Sequence, residues 1–186
     1  MANWASTTYM IDGDLDTLKS INSVINDYIS GRAKPTSGAS NGWHGDVLKA
    51  LGIDTKKCNH IRGFFQEAYI IDDALRIESE EAWSRTEFAE LLSEKYDELS
   101  IYWITEECGN EIYETNDADG VHFTERFFVE VSINGDYQCD YFDSEMEAYE
   151  WVERISGCKN DDEIKRFNEE HNEDGDYINV HEYEIV

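Results

Sequence analysis

Two hydrophobic periods alternate along this 186-residue chain, and their order restricts the fold more than any other feature. Trp4 to Ile11 reads as a strand, and Asp12-Gly13-Asp14 turns the chain. Leu15, Leu18, Ile21, Val24, Ile25, Tyr28 and Ile29 then recur at steps of three and four, the spacing of one helix face. Asp14 is placed to cap that helix and Gly31 to end it. A loop follows over 32–42, with the only proline at Pro35. Trp43, Val47, Leu48 and Leu51 predict a short helix. Phe64 to Ile71 and Ala74 to Glu80 predict a hairpin turning at Asp72-Asp73, without the glycine such turns prefer. Ser84-x-x-Glu87 has the form of a capping box before a helix with Phe88, Leu91, Leu92 and Tyr96 inward. Leu99 to Glu106 and Glu111 to Thr115 read as strands.

The second half continues the alternation. Phe127, Val129, Val131 and Ile133 occupy every other position, so that strand buries one face. Asn134-Gly135 is a hairpin signal leading to Tyr137 to Phe142. Ser144-x-x-Glu147 and Asn160-x-x-Glu163 open two more helices, and Tyr177 to Val186 closes as a strand. Gly-Asp-Tyr occurs at 135–137 and 175–177 before a strand each time, but the flanking residues do not repeat.

This order, β-α-(short α)-β-β-α-β, matches a split β-α-β pattern. The expected class is α+β: a ferredoxin-like core with an extended antiparallel sheet and additional C-terminal helices. The expected organisation is one domain over 1–157, with 158–186 as an acidic helix-strand extension packed on it.

Charge bears on function. The formal net charge is −27. Met1 to Leu75 holds 7 Lys+Arg against 9 Asp+Glu, whereas Arg76 to Val186 holds 8 against 33. Phosphate repels such a surface, which argues against direct binding to nucleic acid or an anionic membrane. A basic protein partner is the complementary expectation. Aromatic residues at 13% separate the chain from disordered acidic sequences. No apolar run approaches a membrane span, and the first residues lack the regions of a signal peptide, so a cytoplasmic location is expected. Cys58, Cys108, Cys139 and Cys158 form no Cys-x-x-Cys pair and are read as reduced, core-packed thiols.

The stretch from Leu75 to Ser84, then Glu87 to Ser93 and Tyr96 to Trp103, resembles the YubB-type ferredoxin-like domain family of phage, plasmid and mobile-element proteins. Ala82-Trp83-Ser84 and Glu107-Cys108-Gly109 carry the resemblance. Arg85-Thr86 departs from the prolines usual in the family. The likeness covers about residues 64 to 115. It implies the ferredoxin-like fold and a mobile-element setting, and it brings no catalytic residues.

Other motifs favour structural roles. Asp12, Asp14 and Asp16 have calcium-ligand spacing, but Thr17 and Ser23 stand where that loop needs Gly and Glu. Asp117 and Asp119-Gly120 fit turn chemistry. Cys58-x-His60 lacks a second ligand pair, and no metal or cofactor is expected. Trp83 sits between a strand and a helix, where a core role is the expectation. No nucleophile elbow, P-loop or triad motif is present, so no catalytic residue is assigned.

The acids on helices remain. Glu87, Glu90, Glu94 and Asp97 share one face, and Glu147, Glu150 and Glu153 share another. Like charges at these spacings destabilise a helix by about 0.2–0.5 kcal/mol each. The expectation is a non-enzymatic mobile-element accessory protein. It would bind a basic host protein, such as a nuclease, restriction enzyme or repressor, through these residues, as a DNA mimic or counter-defence inhibitor. The alternative is a ligand- or protein-binding module whose acidity serves only solubility, with its site near Arg32 to Arg62.

Overall fold

The computed structural model describes residues 3–36, 39–56, 61–82, 85, 87–171 and 173–186. It is α+β, and the chain divides into two compact units, Met1–Asp117 and Ala118–Val186.

In the first unit, Ala5, Thr7, Tyr9 and Ile11 all point to one side of β1 (Trp4–Asp12) and are buried. That face defines the core. β1 is the central strand, paired antiparallel with β3 (Ala74–Ala82) and β4 (Ser100–Glu107). β2 (Gly63–Ile71) lies outside β3, and β5 (Ile112–Thr115) outside β4, giving the order β2-β3-β1-β4-β5. The connection from β1 to β2 skips the place taken by β3, and that from β3 to β4 skips β1. Helices occupy both connections: α1 (Leu15–Ile29) and α2 (His44–Ala50) in the first, α3 (Phe88–Lys95) in the second.

The local chemistry explains the element ends. Asp14 Oδ2 accepts from the Thr17 amide at 3.0 Å and the Thr17 hydroxyl at 3.2 Å, which caps α1 and holds the Asp14 carboxyl below its usual pKa. The Asp14 side chain therefore serves as a helix cap. The β2–β3 turn works without glycine because Asp72 and Asp73 adopt φ of 49° and 64°, a region aspartate tolerates better than most residues. Leu18, Ile21 and Ile25 of α1 and Phe88 and Leu92 of α3 are fully buried against Tyr9, Leu75 and Ile77. Each such side chain contributes about 1.5–3 kcal/mol.

One expected cap differs. α3 begins at Phe88 with Glu87 in the N-cap position and no side-chain cap bond. Glu87 is thus not the third helical residue of a capping box; Ser84 lies outside the described residues, as do Trp83, Cys58 and His60.

In the second unit, β6 (Phe127–Ile133) is central in a three-stranded antiparallel sheet of order β7-β6-β8, with β7 (Asp136–Phe142) and β8 (Tyr177–Glu182). α4 (Glu145–Ser156) packs on β6 and β7, and α5 (Asp161–His171) on β8. Val129, Val131, Ala148, Val152, Ile164 and Ile178 form its core. Ser144 and Asn160 cap the two helices, as expected. The Glu163 carboxylate reaches back to the Lys159 amide at 2.8 Å.

Two expectations change here. The division falls after Asp117 rather than at 157/158, because the ladder of β6 with β8 draws 158–186 into one sheet with 127–142. The final strand is broken at Tyr183, which is buried and turns its amide to the Arg126 carbonyl at 2.9 Å. A two-residue strand, β9 (Glu184–Ile185), follows.

Candidate interaction surface

The acids singled out in sequence fall on two helices in two different units. On α3 and just beyond it, Glu90, Glu94 and Asp97 are exposed, and Glu87 is half-buried. Glu90 is not idle: it pairs with the Arg85 guanidinium, which lies 4.3 Å from the Trp103 ring centroid. Glu94 lines a shallow depression with Asp54, Leu91 and Lys95. On α4, Glu147, Glu150 and Glu153 are exposed. Glu147 accepts the Ser144 hydroxyl at 3.1 Å within the helix cap, and Glu153 meets Lys159 Nζ at 3.2 Å. Both groups of that ion pair are well solvated, so it adds little stability.

The second unit concentrates the charge. Ala118 to Val186 holds 5 Lys+Arg against 20 Asp+Glu; Met1 to Asp117 holds 10 against 22. One of the five cations is engaged by the main chain, since Arg126 donates to the carbonyls of Phe123 at 2.8 Å and Glu125 at 2.9 Å. α4 and α5 lie over one face of the same sheet and together carry nine acids against three Lys+Arg. Tyr149 of α4 donates to Asp161 of α5, tying the two helices together. Burial, then the bond to Asp161, raises the Tyr149 pKa.

The face of that sheet opposite α4 and α5 was not anticipated. Strand register places its side chains in three rows. Tyr141, Phe128 and His181 form one, Cys139, Glu130 and Asn179 the middle one, and Tyr137, Ser132 and Tyr177 the last. Glu130 sits at the centre. It accepts Asn179 Nδ2 at 2.9 Å and the Tyr137 hydroxyl at 3.3 Å, and His181 Nε2 lies 3.7 Å away. Partial desolvation and the Glu130 charge raise the pKa of Tyr177. Tyr137 and Tyr141 are about half exposed, at 53% and 46%. The alternation Tyr137-x-Cys139-x-Tyr141 was the available signal, but it shows a face only once the helices are assigned to the other side.

The cysteines correct an expectation. Cys108 and Cys139 are exposed, whereas Cys158 is buried. Turn and edge-strand positions leave no core for the first two to enter.

A second chemically capable cluster is buried in the first unit. Tyr9 donates to Glu81 Oε1 at 2.6 Å, Thr7 and Thr105 hydroxyls meet at 2.7 Å, and His44 Nε2 lies 2.7 Å from Ser79 Oγ. A hydroxyl beside an imidazole has the composition of an activated nucleophile. However, His44 is 0% and Ser79 2% exposed, and His44 stacks on Phe65 with centroids 4.0 Å apart. Burial pulls the His44 pKa down to about 3, so the ring is neutral at ordinary pH. His44 holds α2 to the sheet through Ser79 and Phe65, while the other two pairs join β1 to β3 and to β4.

No described group of three or more His, Cys, Asp or Glu could hold a metal ion, and no helix among the described residues is long and apolar enough to cross a membrane. No family model matches the chain, and neither a curated protein nor a solved structure matches it.

Proposed function

We propose that the chain is a non-enzymatic accessory protein that binds a basic, nucleic-acid-handling protein through its acidic surface. The observation that carries this reading is the pair of helices α4 and α5, with nine acids against three Lys+Arg over one face of the second unit. At a rise of 1.5 Å per residue, each helix is about 17 Å long. Duplex DNA presents about ten charges over that length. Nine carboxylates approach that number, which is the basis for duplex mimicry. Glu94 of α3 and Asp97 just beyond it are exposed acids of the first unit.

The reading includes a ferredoxin-like first unit and a mobile-element setting. The strand order β2-β3-β1-β4, with helices in both skipped connections, supports the former. The resemblance over about residues 64 to 115 supports the latter.

The test uses basic proteins retained from a host lysate by the full chain. For each, affinity is measured over a salt series for the unaltered chain and for a variant with E94Q, D97N, E150Q and E153Q. Mimicry predicts affinity that falls steeply with salt and a shallower slope in the variant. Equal affinity and equal slope in the two chains would overturn the proposal.

A further inference from the structure

The three-stranded sheet of the second unit has two edges, and they are treated differently. Along β8, Asn168 of α5 covers the main chain of Ile178: its amide donates to the Ile178 carbonyl at 2.8 Å and its oxygen accepts the Ile178 amide at 2.8 Å. No described strand pairs with the outer edge of β7, and all its residues except Phe142 are exposed. Edge strands are commonly blunted by charged side chains, Lys above all, by Pro or by a bulge. β7 has no Lys or Pro and its register against β6 is continuous; the charges it carries, Asp136 and Asp140, repel an acidic strand and admit a basic one.

The turn decides which groups face out. Asn134 and Gly135 have φ of 54° and 77°, the pattern of a two-residue hairpin turn. The closing pair, Ile133 and Asp136, is then hydrogen-bonded, and alternation directs the main chain of Tyr137, Cys139 and Tyr141 outward. The Tyr141 amide is met by its neighbour Asp140 at 2.9 Å. Tyr137 and Cys139 present the next outward groups.

The side chains around this edge select a charge. Asp136 and Asp140 lie on the helix side of β7, and Glu130 lies one strand inward on the other side, beyond the small Cys139. We propose that β7 accepts an extended, arginine-bearing segment of a basic protein as an added antiparallel strand. An arginine opposite Cys139 extends over that side chain beside Tyr137 and takes the place of the Tyr137 hydroxyl, which meets both Cys139 and Glu130, at the largely buried Glu130 carboxylate. An added strand stands about 10 Å from β6 in backbone spacing, a gap that an arginine and a glutamate side chain span together. The planar guanidinium suits both the Tyr137 face and the carboxylate, which favours arginine over lysine. Strand addition supplies the main-chain bonds, and the acids supply side-chain preference. The charge of the occupant rests on the basic-partner reading; the open edge does not.

The probe is a fluorescein-labelled, end-capped octapeptide of alternating threonine and arginine, bound to the full chain at low salt. Binding should slow hydrogen exchange at the Tyr137 and Cys139 amides. Methylating the arginine backbone nitrogens should weaken binding at least tenfold, while methylating the threonine nitrogens should leave it within about threefold. Lysine in place of arginine should also weaken it, and E130Q should narrow that difference; an unchanged difference would overturn the role given to Glu130. Cys139→Pro should abolish binding without removing a bond to β6. Should that variant unfold, the methylated peptides still decide the matter with the unaltered chain. Salt-sensitive binding that is indifferent to backbone methylation would overturn the docking mode and leave the basic-partner reading intact. No binding of any arginine peptide at low salt would overturn strand addition at β7, while the basic-partner reading, which rests on α4 and α5, stands or falls on its own salt series.

Discussion

His44 makes the buried cluster of the first unit measurable. An unfolded histidine titrates near pH 6.5. In the folded chain, burial lowers its pKa to about 3. Between these values the unfolded state binds the proton and the folded state does not, so stability falls as pH falls through that window. From pH 7.5 to pH 5.0 the loss due to this residue is about 2 kcal/mol, from 1.36 kcal/mol per pKa unit. Protonation of the many carboxylates acts in the opposite sense by relieving repulsion, so the histidine must be isolated by difference. Urea unfolding, followed at amide resonances of β1 and β3, would be compared for the unaltered chain and His44→Gln at both pH values. The unaltered chain should lose about 2 kcal/mol more than the variant. The His44 ring resonances should show no titration between pH 5 and pH 8. A midpoint near 6.5, or equal losses in the two chains, would refute the assignment of a buried neutral imidazole.

Three further outcomes follow from the packing. Tyr9→Phe removes the 2.6 Å bond to buried Glu81 and should cost about 1–3 kcal/mol in the same urea assay. Gly42→Ala sets a Cβ 2.5 Å from the Phe65 carbonyl oxygen at φ of 76°. It should cost more than the 1–2 kcal/mol or so expected of Gly157→Ala, where the same φ region is used and nothing lies within 4 Å; comparable thermal shifts in the two would count against the Gly42 contact. E169Q with E170Q should stabilise the second unit by about 0.6–2 kcal/mol at low salt, and the gain should fade as salt is added, measured by thermal unfolding.

Local pattern and long-range pairing were not equally legible. The buried stripes of α1 and α3 follow from spacing alone, because a helix face is a property of neighbours three and four apart. The Asn134-Gly135 hairpin was readable for the same reason: both partners adjoin the turn. Residues 158–186 could not be placed that way. β6 pairs with β8 across more than forty residues, and nothing local to Tyr177–Glu182 names that partner. The Glu130 face was missed as a consequence, since its rows exist only when all three strands are in register. Cys108 and Cys139 failed on a different ground: a cysteine's tendency to be buried is overridden when its strand or turn has an uncovered side.

The acids of the second unit divide by what they do for the fold. Glu145, Glu147, Asp161, Asp162 and Glu163 lie in the first turns of α4 and α5, where the helix dipole favours negative charge by about 0.3–1 kcal/mol each. Their presence needs no partner. Glu169 and Glu170 stand in the last turns of α5, where the same dipole opposes them, and Glu150 extends the acidic row of α4 beyond its first turn. Solubility does not require acids at those positions, because an exposed Gln or Lys would solvate the surface and relieve the repulsion. What Gln and Lys cannot do is hold a cationic surface. The residues that work against their own helix are therefore the ones on which a binding role bears most directly, and the stabilisation expected from neutralising Glu169 and Glu170 measures what the fold gives up to keep them.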